Sequence, residues 1–99
     1  MLVKMLDAAT ANGAGPAVAS RLRDWRPSVS VWCWGTFDGA AVALEVSPDG
    51  ETWFPVLDAD GDPVSFDAAD FVVVDMPTLA YRGVVSSAGG STSLHMAIF

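Results

Sequence analysis

The sequence predicts an all-β chain folded as a single antiparallel β-sandwich, of jelly-roll or immunoglobulin-like type, with about seven or eight strands. Three observations carry this. No window shows a helical hydrophobic period. Turn-forming residues recur about every ten positions, as in all-β sandwiches. Several runs alternate apolar and polar residues with a period of two, as in Leu79–Ser86 and Ser93–Phe99. Ninety-nine residues suit one domain with a modest core, here 1–99, in which 1–16 form an N-terminal arm or a first strand with a flexible link.

Leu2–Ala8 is a candidate first strand, and Asn12-Gly13-Ala14-Gly15-Pro16 the link that follows. Ala17–Trp25 reads as a strand or a short helix ended by Pro27. Next, Asp38-Gly39 lies between two apolar runs and suits a two-residue type I′ turn, where both central residues need positive φ. A hairpin on that turn sets Phe37 against Ala40, Trp34 against Ala43, Cys33 against Leu44, Trp32 against Glu45 and Val31 against Val46. Its core face carries Val29, Val31, Cys33, Val42, Leu44 and Val46. Its other face sets Trp32 and Trp34 over Ala41 and Ala43, where a solvated sheet would be polar.

Ser47-Pro48-Asp49-Gly50 turns the chain. Thr52–Leu57 is a short strand that Pro55 assigns to an edge or a bulge. Asp58–Pro63 is an exposed loop, Val64–Phe66 a brief strand, and Phe71–Met76 a strong strand closed by Pro77. In Leu79–Ser86, Tyr81, Gly83 and Val85 alternate with Arg82 and Val84. After the turn Ala88-Gly89-Gly90-Ser91, the last strand sends Leu94, Met96 and Ile98 inward and Ser93, His95 and Ala97 outward.

Composition narrows the classes of function. Apolar residues make up 52% of the chain and charged residues only 17%, which points to apolar surface buried against a partner or ligand. Five basic and twelve acidic residues leave a net charge of −7, which argues against nucleic acid as a partner. The cluster Arg21, Arg23 and Arg26 is the local exception, read as a contact for an acidic protein patch or a solvated face. One cysteine, Cys33, excludes an internal disulfide and reads as a buried apolar residue. No stretch matches a secretory signal or a membrane span, so synthesis in a reducing cytoplasm and no membrane partner are expected.

Motifs for chemistry are sparse. Asp58-Ala59-Asp60-Gly61-Asp62-Pro63 starts like a calcium loop but has Pro63 and Ala69 where an EF-hand requires Gly and Glu. A single histidine, His95, allows neither a catalytic triad nor a multi-histidine metal site. No phosphate-cradling glycine loop is present. No catalytic, cofactor-binding or metal-binding residues are therefore expected. Trp25 and Trp53 read as caps on the core. Three readings compete for Trp32 and Trp34: cover by the N-terminal segment, burial against another subunit, or a platform for sugar rings.

The runs Gly35–Val56, GTFDGAAVALEVSPDGETWFPV, and Phe71–Ser93, FVVVDMPTLAYRGVVSSAGGSTS, carry a resemblance. In that order a strand ends in a GTF tripeptide, a second strand leads to an SPDG turn and a Trp, and a valine-rich strand precedes an arginine-bearing one. Over roughly Pro27–Phe99 the chain resembles small β-sandwich virion structural proteins of tailed bacteriophages. The resemblance implies a non-enzymatic capsid decoration (cement) or head-tail accessory subunit, located in the virion. It would act through contacts with capsid, neck or tail subunits and as a homo-oligomer. The other function considered is a carbohydrate- or receptor-binding module of a tail fibre. Expected interface residues are Trp32, Trp34, Arg21, Arg23, Arg26, His95 and Phe99.

Overall fold

A computed structural model describes residues 3–19, 29–74 and 80–99. Ten strands run through them: β1 Val3–Ala9, β2 Gly13–Ala14, β3 Val18–Ala19, β4 Val29–Thr36, β5 Ala41–Ser47, β6 Phe54–Pro55, β7 Ser65–Phe66, β8 Asp70–Val74, β9 Ala80–Ser86 and β10 Ser93–Ile98. Four of these span only two residues, which is why the sequence suggested fewer. There is no helix among the described residues.

The strands form two antiparallel sheets. One has the order β1-β10-β4-β8. The other runs β2-β9-β5-β6, with β3 also on β9 and β7 also on β5. Taking β2 with β3 and β6 with β7 as interrupted single strands leaves eight positions. Their pairings nest, first with last (β1 and β10), second with seventh (β2/β3 and β9), third with sixth (β4 and β8), fourth with fifth (β5 and β6/β7). This is one long antiparallel ribbon rolled into two layers, and it selects the jelly roll over the immunoglobulin-like alternative.

The Asp38-Gly39 turn forms as expected, with φ of 47° and 83° and the Ala40 amide donating to the Phe37 carbonyl at 2.9 Å. The ribbon predicted beyond it does not form. β4 enters one sheet and β5 the other, so Trp34 lies opposite His95 rather than Ala43, and Val31 opposite Ile98 and Val72 rather than Val46. The cause is burial. A lone hairpin would leave Val31, Cys33, Val42 and Leu44 on one uncovered face, whereas separating the strands into two layers brings those side chains together in the core, all at 1% exposure or less. Gly35, at φ 125°, makes room for the departure: a Cβ there would collide with the Ser93 carbonyl oxygen.

The core also holds Met5, Leu6, Tyr81, Leu94, Met96 and Ile98. Both Met5 and Leu6 are buried because the β1–β10 register slips between Lys4 and Ala9, with Ala8 at positive φ. Ala97, expected to face outward, does lie on the outer face but is fully buried there, between Trp32 and Lys4 of the neighbouring strands. One end of the sandwich is tied by side chains. Asp38 Oδ2 accepts the Ser91 amide at 2.8 Å, and Thr92 Oγ1 donates to the Phe37 carbonyl at 2.9 Å. The Ser47–Asp49 turn is likewise self-contained, with Asp49 Oδ1 accepting the amides of Glu51 and Thr52 at 2.8 and 2.7 Å.

Candidate functional site: an aromatic outer face

Alternation along β4 sends Val31 and Cys33 into the core and Trp32 and Trp34 to the outer surface. The register then decides their neighbours. Phe71 of β8 lies beside Trp32, Val73 beside Ser30, and His95 of β10 beside Trp34. Phe99 follows β10 and exchanges both backbone hydrogen bonds with Ser30. The outcome is a contiguous aromatic patch. The Trp32 and Phe71 rings stack with centroids 4.4 Å apart, Phe99 meets Trp32 edge-on at 6.4 Å, and Trp34 stacks on His95 at 5.6 Å.

The patch is open to solvent. Trp32 is 39% exposed, Trp34 37%, Phe71 50%, Val73 59% and Phe99 39%. With side-chain areas of 150–250 Å², these five leave roughly 450 Å² of apolar surface in contact with water. That is the size of the largest apolar patch on a typical monomer, a patch that is often functional. Two shallow grooves flank the tryptophan row. One, of about 360 Å³, is lined by Ser30, Trp32, Trp34 and Phe99. The other, of about 350 Å³, is lined by Trp32, Cys33, Trp34, Ala69, Asp70 and Phe71.

Polar groups sit at the rim and are already engaged. Trp32 Nε1 donates to Ser30 Oγ at 3.0 Å. The Phe71 amide donates to Asp70 Oδ1 at 2.8 Å. At the far side, Lys4 pairs with Asp7 at 3.2 Å, and His95 Nδ1 lies 3.6 Å from the same carboxylate and accepts the Ala8 amide at 3.4 Å.

Of the residues expected at an interface, Trp32, Trp34, His95 and Phe99 come together on this face, while Arg21, Arg23 and Arg26 lie outside the described residues. Phe71 and Val73 belong to the same surface and were not anticipated: Phe71–Val74 is an unbroken apolar run, whose faces cannot be phased from sequence. Trp53 corrects the core reading. It is half-buried outside the core, with the Arg82 guanidinium 4.3 Å from its ring centroid. That guanidinium also holds Glu45 Oε1 through Nε and Nη2, each at 2.7 Å, so the outer face of the second sheet carries a closed ionic cluster. Trp25 lies outside the described residues.

Cys33 is buried beneath the tryptophan row, and burial pushes its thiol up to about 11, so it is a poor nucleophile at neutral pH. In the acidic loop, Asp58 Oδ1 accepts the amides of Asp60 and Asp62 at 2.9 and 3.0 Å, folding the carboxylate back on its own backbone. No group of three or more His, Cys, Asp or Glu side chains among the described residues could hold a metal ion. No described helix is long and apolar enough to cross a membrane. No protein-family model, curated protein or solved structure matches the chain.

Proposed function

We propose that the protein is a non-enzymatic structural subunit of a tailed-bacteriophage virion, a capsid decoration or head-tail accessory protein that docks through the outer face of the β1-β10-β4-β8 sheet. One observation carries the docking reading: a jelly roll with a filled core also presents five large apolar side chains side by side on the outside. Repeated on many copies around a particle, such a patch would add up through avidity. The virion assignment rests on the sequence resemblance.

A sugar platform is less well supported by the same geometry. Sugar hydroxyls need convergent donors and acceptors beside the aromatic rings. In the groove beside Phe99 the lining supplies one hydroxyl, Ser30 Oγ, and it already accepts from Trp32.

The test is particle incorporation of a Trp32→Ser/Trp34→Ser chain, with Phe99→Ser as a milder variant. Circular dichroism establishes that each is folded. Folded variants absent from particles are the expected result. Normal incorporation of a folded double variant refutes docking through this face, and loss of incorporation together with binding to a glycan array by the parent chain favours the tail-fibre module.

A further inference from the structure

Strand β8 ends its sheet: among the described residues its only partner is β4. The backbone bonds fix which of its groups are free. Ser30 and Phe99 exchange both of their hydrogen bonds, so Ser30 points its N–H and C=O at the β10 side. By alternation, Val29, Val31 and Cys33 point theirs at β8, toward Val74, Val72 and Asp70. Phe71 and Val73 therefore direct their backbone groups away from the sheet. Of these, the Phe71 amide is covered by the Asp70 carboxylate.

Natural edges are blunted by lysine, proline or bulges. Asp70-Phe71-Val72-Val73-Val74 has none of these: its register with β4 is continuous, and Phe71 and Val73 are both at least half exposed. Beside it lies an open groove of about 370 Å³ lined by Val56, Leu57, Asp58, Ala59, Val64 and Val72–Val74.

We infer that β8 pairs with β8 of a second copy of this chain, antiparallel about a two-fold axis at Val72, joining two four-stranded sheets into one of eight. The sequence of the edge selects this occupant. Centred on Val72, each Phe71 meets the other copy's Val73 as a hydrogen-bonded pair, in which the Phe71 amide exchanges its Asp70 carboxylate for the other copy's Val73 carbonyl. Val72 meets its own counterpart as the closer, non-hydrogen-bonded pair. All three cross-strand contacts are apolar. Each Asp70 falls opposite a Val74, so the two carboxylates stand about 14 Å apart, beyond the roughly 8 Å screening length of physiological salt. A parallel or slipped pairing loses this match. The inference does not depend on the virion reading: it needs only purified protein.

The decisive experiment is cysteine cross-linking in the full chain. At Val72 the two Cα atoms would lie about 4.5 Å apart, within disulfide range, whereas at Val73 they would lie about 8 Å apart, outside it. Oxidised V72C is expected to run as a covalent dimer and V73C as a monomer, with the buried Cys33 silent in both. Sedimentation equilibrium supplies a second measurement. The parent chain is expected at twice 10.3 kDa at tens of micromolar. V73P, which removes an amide that β4 does not use, is expected to weaken the dimer more than tenfold with an unchanged circular dichroism spectrum; V73K serves if V73P misfolds. An F99S chain that stays dimeric while losing particle incorporation separates this edge from the docking face. A monomeric parent at high concentration, equal cross-linking at both positions, or an undiminished dimer in folded V73P or V73K overturns the inference.

Discussion

Replacing Trp32 by alanine tests the physical account of the aromatic face. About three-fifths of that side chain is buried, since 39% remains exposed. Three-fifths of roughly 250 Å² is about 150 Å², or close to 4 kcal/mol at 25 cal/mol per Å². The alanine methyl recovers about 1 kcal/mol of this, while the lost stack with Phe71 at 4.4 Å adds about 0.5–1.5 kcal/mol. The net expectation is a loss of about 3–4 kcal/mol, which at 4–8 °C per kcal/mol lowers Tm by roughly 12–32 °C. Urea unfolding followed by circular dichroism reads the free energy, and a double-mutant cycle with Phe71→Ala isolates the ring–ring share at about 0.5–1.5 kcal/mol. A loss below about 1 kcal/mol, or a coupling near zero, would refute the idea that Trp32 is seated among its neighbours; it would then be a free side chain, and the grooves beside it would not persist.

Two further outcomes follow from backbone and charge. Gly35→Ala combines a positive φ with a methyl driven against the Ser93 carbonyl, so a loss of at least about 2 kcal/mol is expected in thermal unfolding, against a few tenths for Gly90→Ala, which meets open space. Asp49 is held at about 2 by the Thr52 and Glu51 amides and the Ser47 hydroxyl, below its ordinary 3.8. Its contribution to stability is present above pH 3.8 and lost as pH falls toward 2. The stability profile of Asp49→Asn should therefore be flatter than the parent's between pH 4 and 2, measured by denaturant midpoint.

The faces of the strands were legible in the sequence, but their partners were not. Val31, Cys33, Val42 and Leu44 were correctly assigned inward from period-two alternation alone, which is local. Pairing is a contest between near and distant strands. The Asp38-Gly39 turn supplied a strong local signal, yet β10 and β9, about sixty and forty residues away, won β4 and β5 because only the layered arrangement encloses both core faces. A readable warning existed in Gly35, since a glycine inside a strand often marks close backbone approach. The same limit governed the site. Trp32, Trp34 and His95 stood out by alternation and Phe99 by its apolar terminal segment, while Phe71 and Val73 became outward residues only once β8 was registered against β4.

The nested strand order has a kinetic meaning. Pair separations shrink steadily along the roll, from Val3 with Ile98 to Val46 with Phe54. The innermost strands close the shortest loops, and each later pair adds only a few tenths of a kcal/mol of closure entropy, because that cost grows with the logarithm of loop length. Assembly that starts at β5 with β6 and winds outward is the path of least entropy. On a ribosome, however, β1 emerges some ninety residues ahead of its pairing partner β10. Until β10 arrives, its apolar side chains Met5 and Leu6 lack their cover, so β1 is where a nascent chain would most need a chaperone's protection.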